Sequence, residues 1–143
     1  MRVRLALSLC SLLALSLSAG RALATSYYVT DLGTLGGDFS EALAVNDSGQ
    51  VVGWAPNSRG YPRAFAWQNG AMADLGTLGG PSSWACGISN SGQVAGYAYT
   101  SNPGYHAFLW QSGSPNCDLR AGNASAINES GQVLGCDTDS SYQ

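Results

Sequence analysis

The chain has 143 residues, of which 45% are hydrophobic and only 10% charged, with 19 glycines and a formal net charge of −3. Its six basic residues are all arginines. Arg2, Arg4 and Arg21 fall within the first 24 residues, so the remainder carries three arginines against nine acidic groups, net −6. An acidic surface repels phosphate backbones and anionic headgroups, which excludes nucleic acid and a lipid surface as expected partners.

Residues 1–24 read as a secretory signal. Arg2 and Arg4 form a positive start, residues 5–17 an apolar core, and Ala22-Leu23-Ala24 a small-x-small cleavage site. The apolar run is shorter than the roughly 20 residues that span a bilayer. The mature chain is therefore expected to begin near Thr25 (domain 25–143), in the extracellular space or periplasm, with no membrane anchor after cleavage. Cys10 lies inside the apolar core with no mature start behind it, so a lipid anchor is not expected. Cys86, Cys117 and Cys136 survive processing. An oxidising compartment permits one disulfide among them, and the sequence does not separate that from three idle thiols. No pair has the close spacing of a zinc site.

Asp31-Leu32-Gly33-Thr34-Leu35-Gly36-Gly37 returns letter for letter at Asp74-Leu75-Gly76-Thr77-Leu78-Gly79-Gly80, an offset of 43 residues. Arg63-Ala64-Phe65-Ala66-Trp67-Gln68 is answered by His106-Ala107-Phe108-Leu109-Trp110-Gln111. Ser48-Gly49-Gln50-Val51 recurs at Ser91-Gly92-Gln93-Val94 and Ser130-Gly131-Gln132-Val133. A period of this length means one supersecondary unit copied in tandem. Most recurring residues are then scaffold: Asp31, Asp74, Gly36, Gly37, Gly79, Gly80, Gly49, Gly92, Gly131, Phe65, Trp67, Phe108 and Trp110.

Within one unit, residues 41–45 are small and apolar, and Asn46-Asp47-Ser48-Gly49 then reverses the chain into residues 50–55. Asn, Asp and Ser bond nearby backbone amides, and Gly takes positive φ freely, so the pair is expected as a hairpin. Residues 63–68 form a third strand, Asn69-Gly70 a tight turn and 72–75 a fourth strand. Turn residues interrupt every run before a helix could form. The expected fold is all-β: tandem four-stranded antiparallel repeats of about 43 residues, partial β-propeller-like, about 2.5 blades. Phe65 with Trp67, and Phe108 with Trp110, share a strand face and should fill the space between units. Gly53, Gly96 and Gly135 recur where another backbone approaches or the strand bends.

These linked motifs, DLGTLGG, then Ser-Gly-Gln-Val, then the His106-Ala107-Phe108 triplet, resemble the HAF family of bacterial extracellular repeats over residues 31–135. The resemblance implies a secreted, propeller-like β-repeat protein and carries no activity with it. The chain departs from the pattern at Arg63, at Ser89 and at Cys117-Asp118-Leu119-Arg120-Ala121-Gly122. The third unit is four residues shorter and ends before a third HAF strand. Since closed propellers have at least ~4 blades, this chain alone is not expected to close a ring, and open edges favour self-association.

No catalytic, cofactor or metal site is expected. His106 is the sole histidine, its counterpart is Arg63, and no nucleophile accompanies it. One Asp per turn at Asp31, Asp74 and Asp118 falls short of a calcium loop, which needs six to eight oxygens, and caps a turn instead. The DLGTLGG glycines lack the Lys and the helix of a phosphate loop. The sequence admits three readings. A non-enzymatic module would hold an extracellular protein or glycan on the variable loops 56–62 and 100–104, with Tyr61, Tyr99 and Tyr105 as contacts. An extracellular polysaccharide hydrolase or lyase would need paired carboxylates that nothing singles out. The third reading is a truncated fragment without independent function.

Overall fold

Alternation of small apolar and polar residues, broken by Asx and glycine turns, gives ten strands. In the computed structural model, which describes residues 27–102, 104–114 and 116–136, they are β1 (Glu41–Val45), β2 (Val51–Pro56), β3 (Pro62–Gln68), β4 (Ala71–Asp74), β5 (Gly79–Ile88), β6 (Val94–Thr100), β7 (Tyr105–Trp110), β8 (Cys117–Ala121), β9 (Asn123–Ile127) and β10 (Val133–Cys136). The expected signal segment lies outside the described residues. The fold is all-β. Sheets β1-β2-β3-β4 and β5-β6-β7-β8 are antiparallel and follow each other in tandem, and β9 and β10 form a two-stranded third unit.

The turns explain the boundaries. Asn46 Oδ1 accepts from the amides of Ser48 (3.1 Å) and Gln50 (3.0 Å), and Asn128 does the same for Ser130 and Gln132. In the middle unit Ser89 Oγ takes over, accepting from Gln93 N at 3.2 Å. Asn69 (φ 53°) and Gly70 (φ 84°) both adopt positive φ, as the two-residue hairpin turn requires. β4 begins and ends one residue earlier than expected. Leu75 leaves the strand because the following turn starts at Asp74, whose Oδ1 accepts from Gly76 N at 2.8 Å.

Gly53, Gly96 and Gly135 each face a bulge in the neighbouring strand. A Cβ on them would lie 1.9, 2.0 and 2.1 Å from the carbonyl oxygens of Glu41, Trp84 and Asn123, so no side chain fits. The bulge swings the first strand of each unit over the second, and the Phe108 ring lies against the open space at Gly96.

The core is the junction between units. Val52, Ala64 and Leu75 of the first unit pack on Ala85, Val94, Ala98 and Phe108 of the second, with Ile88 and Trp110 against them. The second junction is smaller: Ala95 and Ala107 against Ala124, with Ile127 and Val133. Ser83 stitches the first junction from within. Fully buried, its Oγ accepts from Ala64 N at 2.9 Å and donates to Gly76 O at 2.6 Å, so both of those backbone groups and the hydroxyl itself are paired.

Candidate functional site

Polar residues that recur with the unit are engaged in scaffolding. Arg63 Nε donates to both carboxylate oxygens of Asp74 (3.2 and 3.0 Å), and His106 Nδ1 meets both oxygens of Asp118 at 2.9 Å. Arg63 of β3 and His106 of β7 thus each strap their strand to an Asp of the strand beside it, Asp74 of β4 and Asp118 of β8. Partial burial pushes the Asp118 pKa up, but hydrogen bonds from His106 and the Arg120 amide, with the charge of both side chains, outweigh it and hold the carboxylate below its usual range. A position served by either Arg63 or His106 calls for a side-chain nitrogen that ties down a strand, and among the described residues the hydrogen-bond partner of His106 Nδ1 is the Asp118 carboxylate.

The aromatic residues divide differently. β6 carries Tyr97 and Tyr99 on one face, Trp84 of β5 sits directly opposite Tyr97, and Tyr105 of β7 directly opposite Tyr99. Trp84 and Tyr97 stack with centroids 5.0 Å apart and planes 18° from parallel. Tyr99 contacts Trp84 at 6.1 Å and Tyr105 at 6.2 Å, and Tyr105 reaches Tyr97 at 5.9 Å. The four rings form one patch, with Tyr99 40% exposed and the others half-buried. Along this same face the third unit covers Ala95 and Ala107 at the turn end, and burial falls away toward Tyr99.

The patch belongs to the second unit alone, since the same positions in the first hold Glu41, Trp54, Pro56 and Pro62. It is also uncharged. Burial, then the neighbouring Cys86, Tyr105 and Tyr99, raise the Tyr97 phenol above its usual pKa. Burial likewise raises the Cys86 thiol and makes it a poor nucleophile. Cys86, Cys117 and Cys136 are all unpaired.

Of the tyrosines expected at loops, Tyr99 and Tyr105 are brought together and Tyr61 is not. Tyr61 lines a separate open cleft of about 470 Å³ between the loop ends of the two sheets, with Arg59, Arg63 and Pro81. Trp84 and Tyr97 were missed by loop reasoning. The alternation Tyr97-x-Tyr99 puts both on one strand face, and that was the available signal. A second cleft, about 410 Å³, opens between the sheets at the turn end, lined by Gln50, Gln68, Asn90, Trp110 and Gln111. Among the described residues no group of three His, Cys, Asp or Glu side chains is placed to hold a metal ion, and no helix is long and apolar enough to cross a membrane.

Comparison of the chain with family models, curated proteins and solved structures gave no match in any of the three.

Proposed function

We infer that this is a secreted, non-enzymatic β-repeat protein of the HAF type, its units stacked like propeller blades, and that its second unit holds an extracellular ligand on an aromatic platform. The single observation that carries the reading is the Trp84–Tyr97–Tyr99–Tyr105 patch, present in one unit and absent from its twin. The first unit keeps one ring at the Tyr97 position, Trp54, but sets it edge-on to Phe39 at 5.3 Å and builds no four-ring cluster. Uncharged, partly exposed rings with hydroxyl edges suit the apolar face and polar rim of a neutral sugar, and a glycan is favoured over a protein ligand for that reason.

A polysaccharide hydrolase would need two carboxylates facing each other across a cleft. Asp31, Asp74 and Asp118 instead each accept a backbone amide in a turn, at 2.9, 2.8 and 2.7 Å, which favours the binding reading.

The test is a glycan and cell-surface array, followed by titration of tryptophan fluorescence with each hit. Binding should weaken at least about tenfold in Tyr99→Ala, about 1.4 kcal/mol, and survive in Tyr61→Ala. A folded sample that binds nothing on either array would sink the proposal.

A further inference from the structure

Arginine occurs three times among the described residues and lysine not at all, yet two of the three, Arg59 and Arg63, line one opening. It is the cleft of about 470 Å³ between the loop ends of the first two sheets, large enough for a small molecule. On a chain whose acids outnumber its bases, this cleft is a local concentration of positive charge.

The two arginines differ in what they have left to give. Arg63, with its side chain 19% exposed, spends its charge on Asp74 at 3.0 Å and turns Nη1 toward Pro81 O at 3.5 Å. Arg59 makes no ion pair among the described residues, so the cleft holds one uncompensated positive charge. The loop that carries it is tied down. Asn57 Oδ1 accepts from the amides of Arg59 (2.9 Å) and Tyr61 (3.1 Å), while Asn57 N donates to Tyr61 O and Gly60 N to Asn57 O, both at 2.9 Å.

Hydroxyl groups make up much of the remaining lining, from Tyr61, Thr100 and Ser101. Ser101 Oγ would stand 3.7 Å from a Cβ on Gly79, so the bare glycine leaves room beside that hydroxyl. Thr100 lies on the face of β6 opposite Tyr99, which separates this cleft from the aromatic platform. The repeat supplies an internal comparison. The corresponding opening of the first unit, about 390 Å³, is lined by Gly36, Gly37, Asp38, Pro56 and Ser58, with an acid at the position of Pro81 and no arginine. The positive charge therefore belongs to this one cleft and not to the repeat.

We propose that the cleft binds an acidic sugar, a hexuronate, with its carboxylate on the Arg59 guanidinium and its ring hydroxyls on Tyr61, Thr100 and Ser101. A guanidinium fork matches the two oxygens of a planar carboxylate. One uncompensated charge balances a monoanion, whereas a phosphate dianion would leave a charge unpaired on an acidic protein. This site is independent of the platform, which takes a neutral sugar on rings.

Titration of the whole chain with glucuronate, followed by amide proton–nitrogen NMR spectra, tests this. The amides of Tyr61, Gly80 and Ser101 should shift saturably. Glucose, acetate and inorganic phosphate at the same concentrations should each bind more weakly, since each lacks either the carboxylate or the ring hydroxyls. Arg59→Gln should weaken glucuronate binding about fivefold or more by removing a charge-assisted hydrogen bond. Arg120→Gln and Tyr99→Ala, both away from the cleft, should stay within about twofold of wild type. Arg59 is exposed on a turn, and unchanged amide positions outside the cleft show that its variant folds. Glucose binding as tightly as glucuronate, or an unaffected Arg59→Gln, overturns the role of the carboxylate. Acetate or phosphate binding as tightly overturns the sugar, and equal weakening in Arg120→Gln overturns the site. Loss of glucuronate binding in Tyr99→Ala would place the ligand on the platform and overturn the separate cleft.

Discussion

Arg120 has φ 76°, at the position where the first two units place Gly33 (φ 78°) and Gly76 (φ 85°). The third unit has lost the DLGTLGG spelling but kept the turn, because Asp118 Oδ1 still accepts from the amide two residues on. An L-residue in that region costs about 1–2 kcal/mol, partly offset by the greater unfolded-state freedom of glycine. Arg120→Gly should therefore raise stability by about 0.5–1 kcal/mol in urea denaturation. Gly96→Ala should do the reverse. Its Cβ would meet Trp84 O at 2.0 Å and Phe108 Cε1 at 3.0 Å, backbone on one side and a packed ring on the other, and overpacking of this kind costs about 1–3 kcal/mol or more. Asp118 adds a pH dependence. Its folded pKa is depressed, so its contribution is fully present above the ordinary carboxylate pKa of about 4 and is lost as pH falls through the lower folded value. Asp118→Asn should flatten the acid limb of a stability-versus-pH curve, and His106→Arg should leave the fold intact by copying the Arg63–Asp74 pair. The turn role of each Asp and the close approach at Gly53, Gly96 and Gly135 were legible in the sequence because both are local. The His106–Asp118 pair was not, since only the β7–β8 register brings those residues together.

The hairpin turn is the element that does most to order the units. Asn46 and Asn128 make the same two bonds within their own turns, but Asn46 alone, 9% exposed, also donates to the neighbouring unit at Ser89 O. Asn46→Ala should cost about 1 kcal/mol more than Asn128→Ala, the typical net value of one further hydrogen bond, measured by chemical denaturation of the two variants side by side. Turn chemistry also explains why strands β1 to β4 were legible almost to the residue: each is bounded by Asx or glycine turns. The start of β5 was not. Gly79-Gly80-Pro81 reads as a break, yet Gly79 pairs with Thr100 across the sheet, and a Cβ on Gly80 would lie 2.5 Å from that of Tyr99. The aromatic platform was half legible for a related reason. Tyr99 and Tyr105 stood out beside a variable loop, whereas Trp84 joins them only through a cross-strand register that local pattern does not specify.

Across the whole molecule, the units are tied together through a column of turns, by hydrogen bonds that run both ways between the first two units and from the second to the third. That column of turn residues reads Asp47, Asn90, Glu129, with the amide Nδ2 of Asn90 donating to Asp47 Oδ2 at 2.7 Å and its backbone amide donating to Glu129. Asn90 is the neutral spacer that lets two anions share one line. Plain duplication of the first unit would set one Asp directly beside another, a like-charge contact that costs a few tenths of a kcal/mol to about 1 kcal/mol at an exposed site. Divergence at this turn removes that contact, and the column acts as a place-marker recording where in the series a unit belongs.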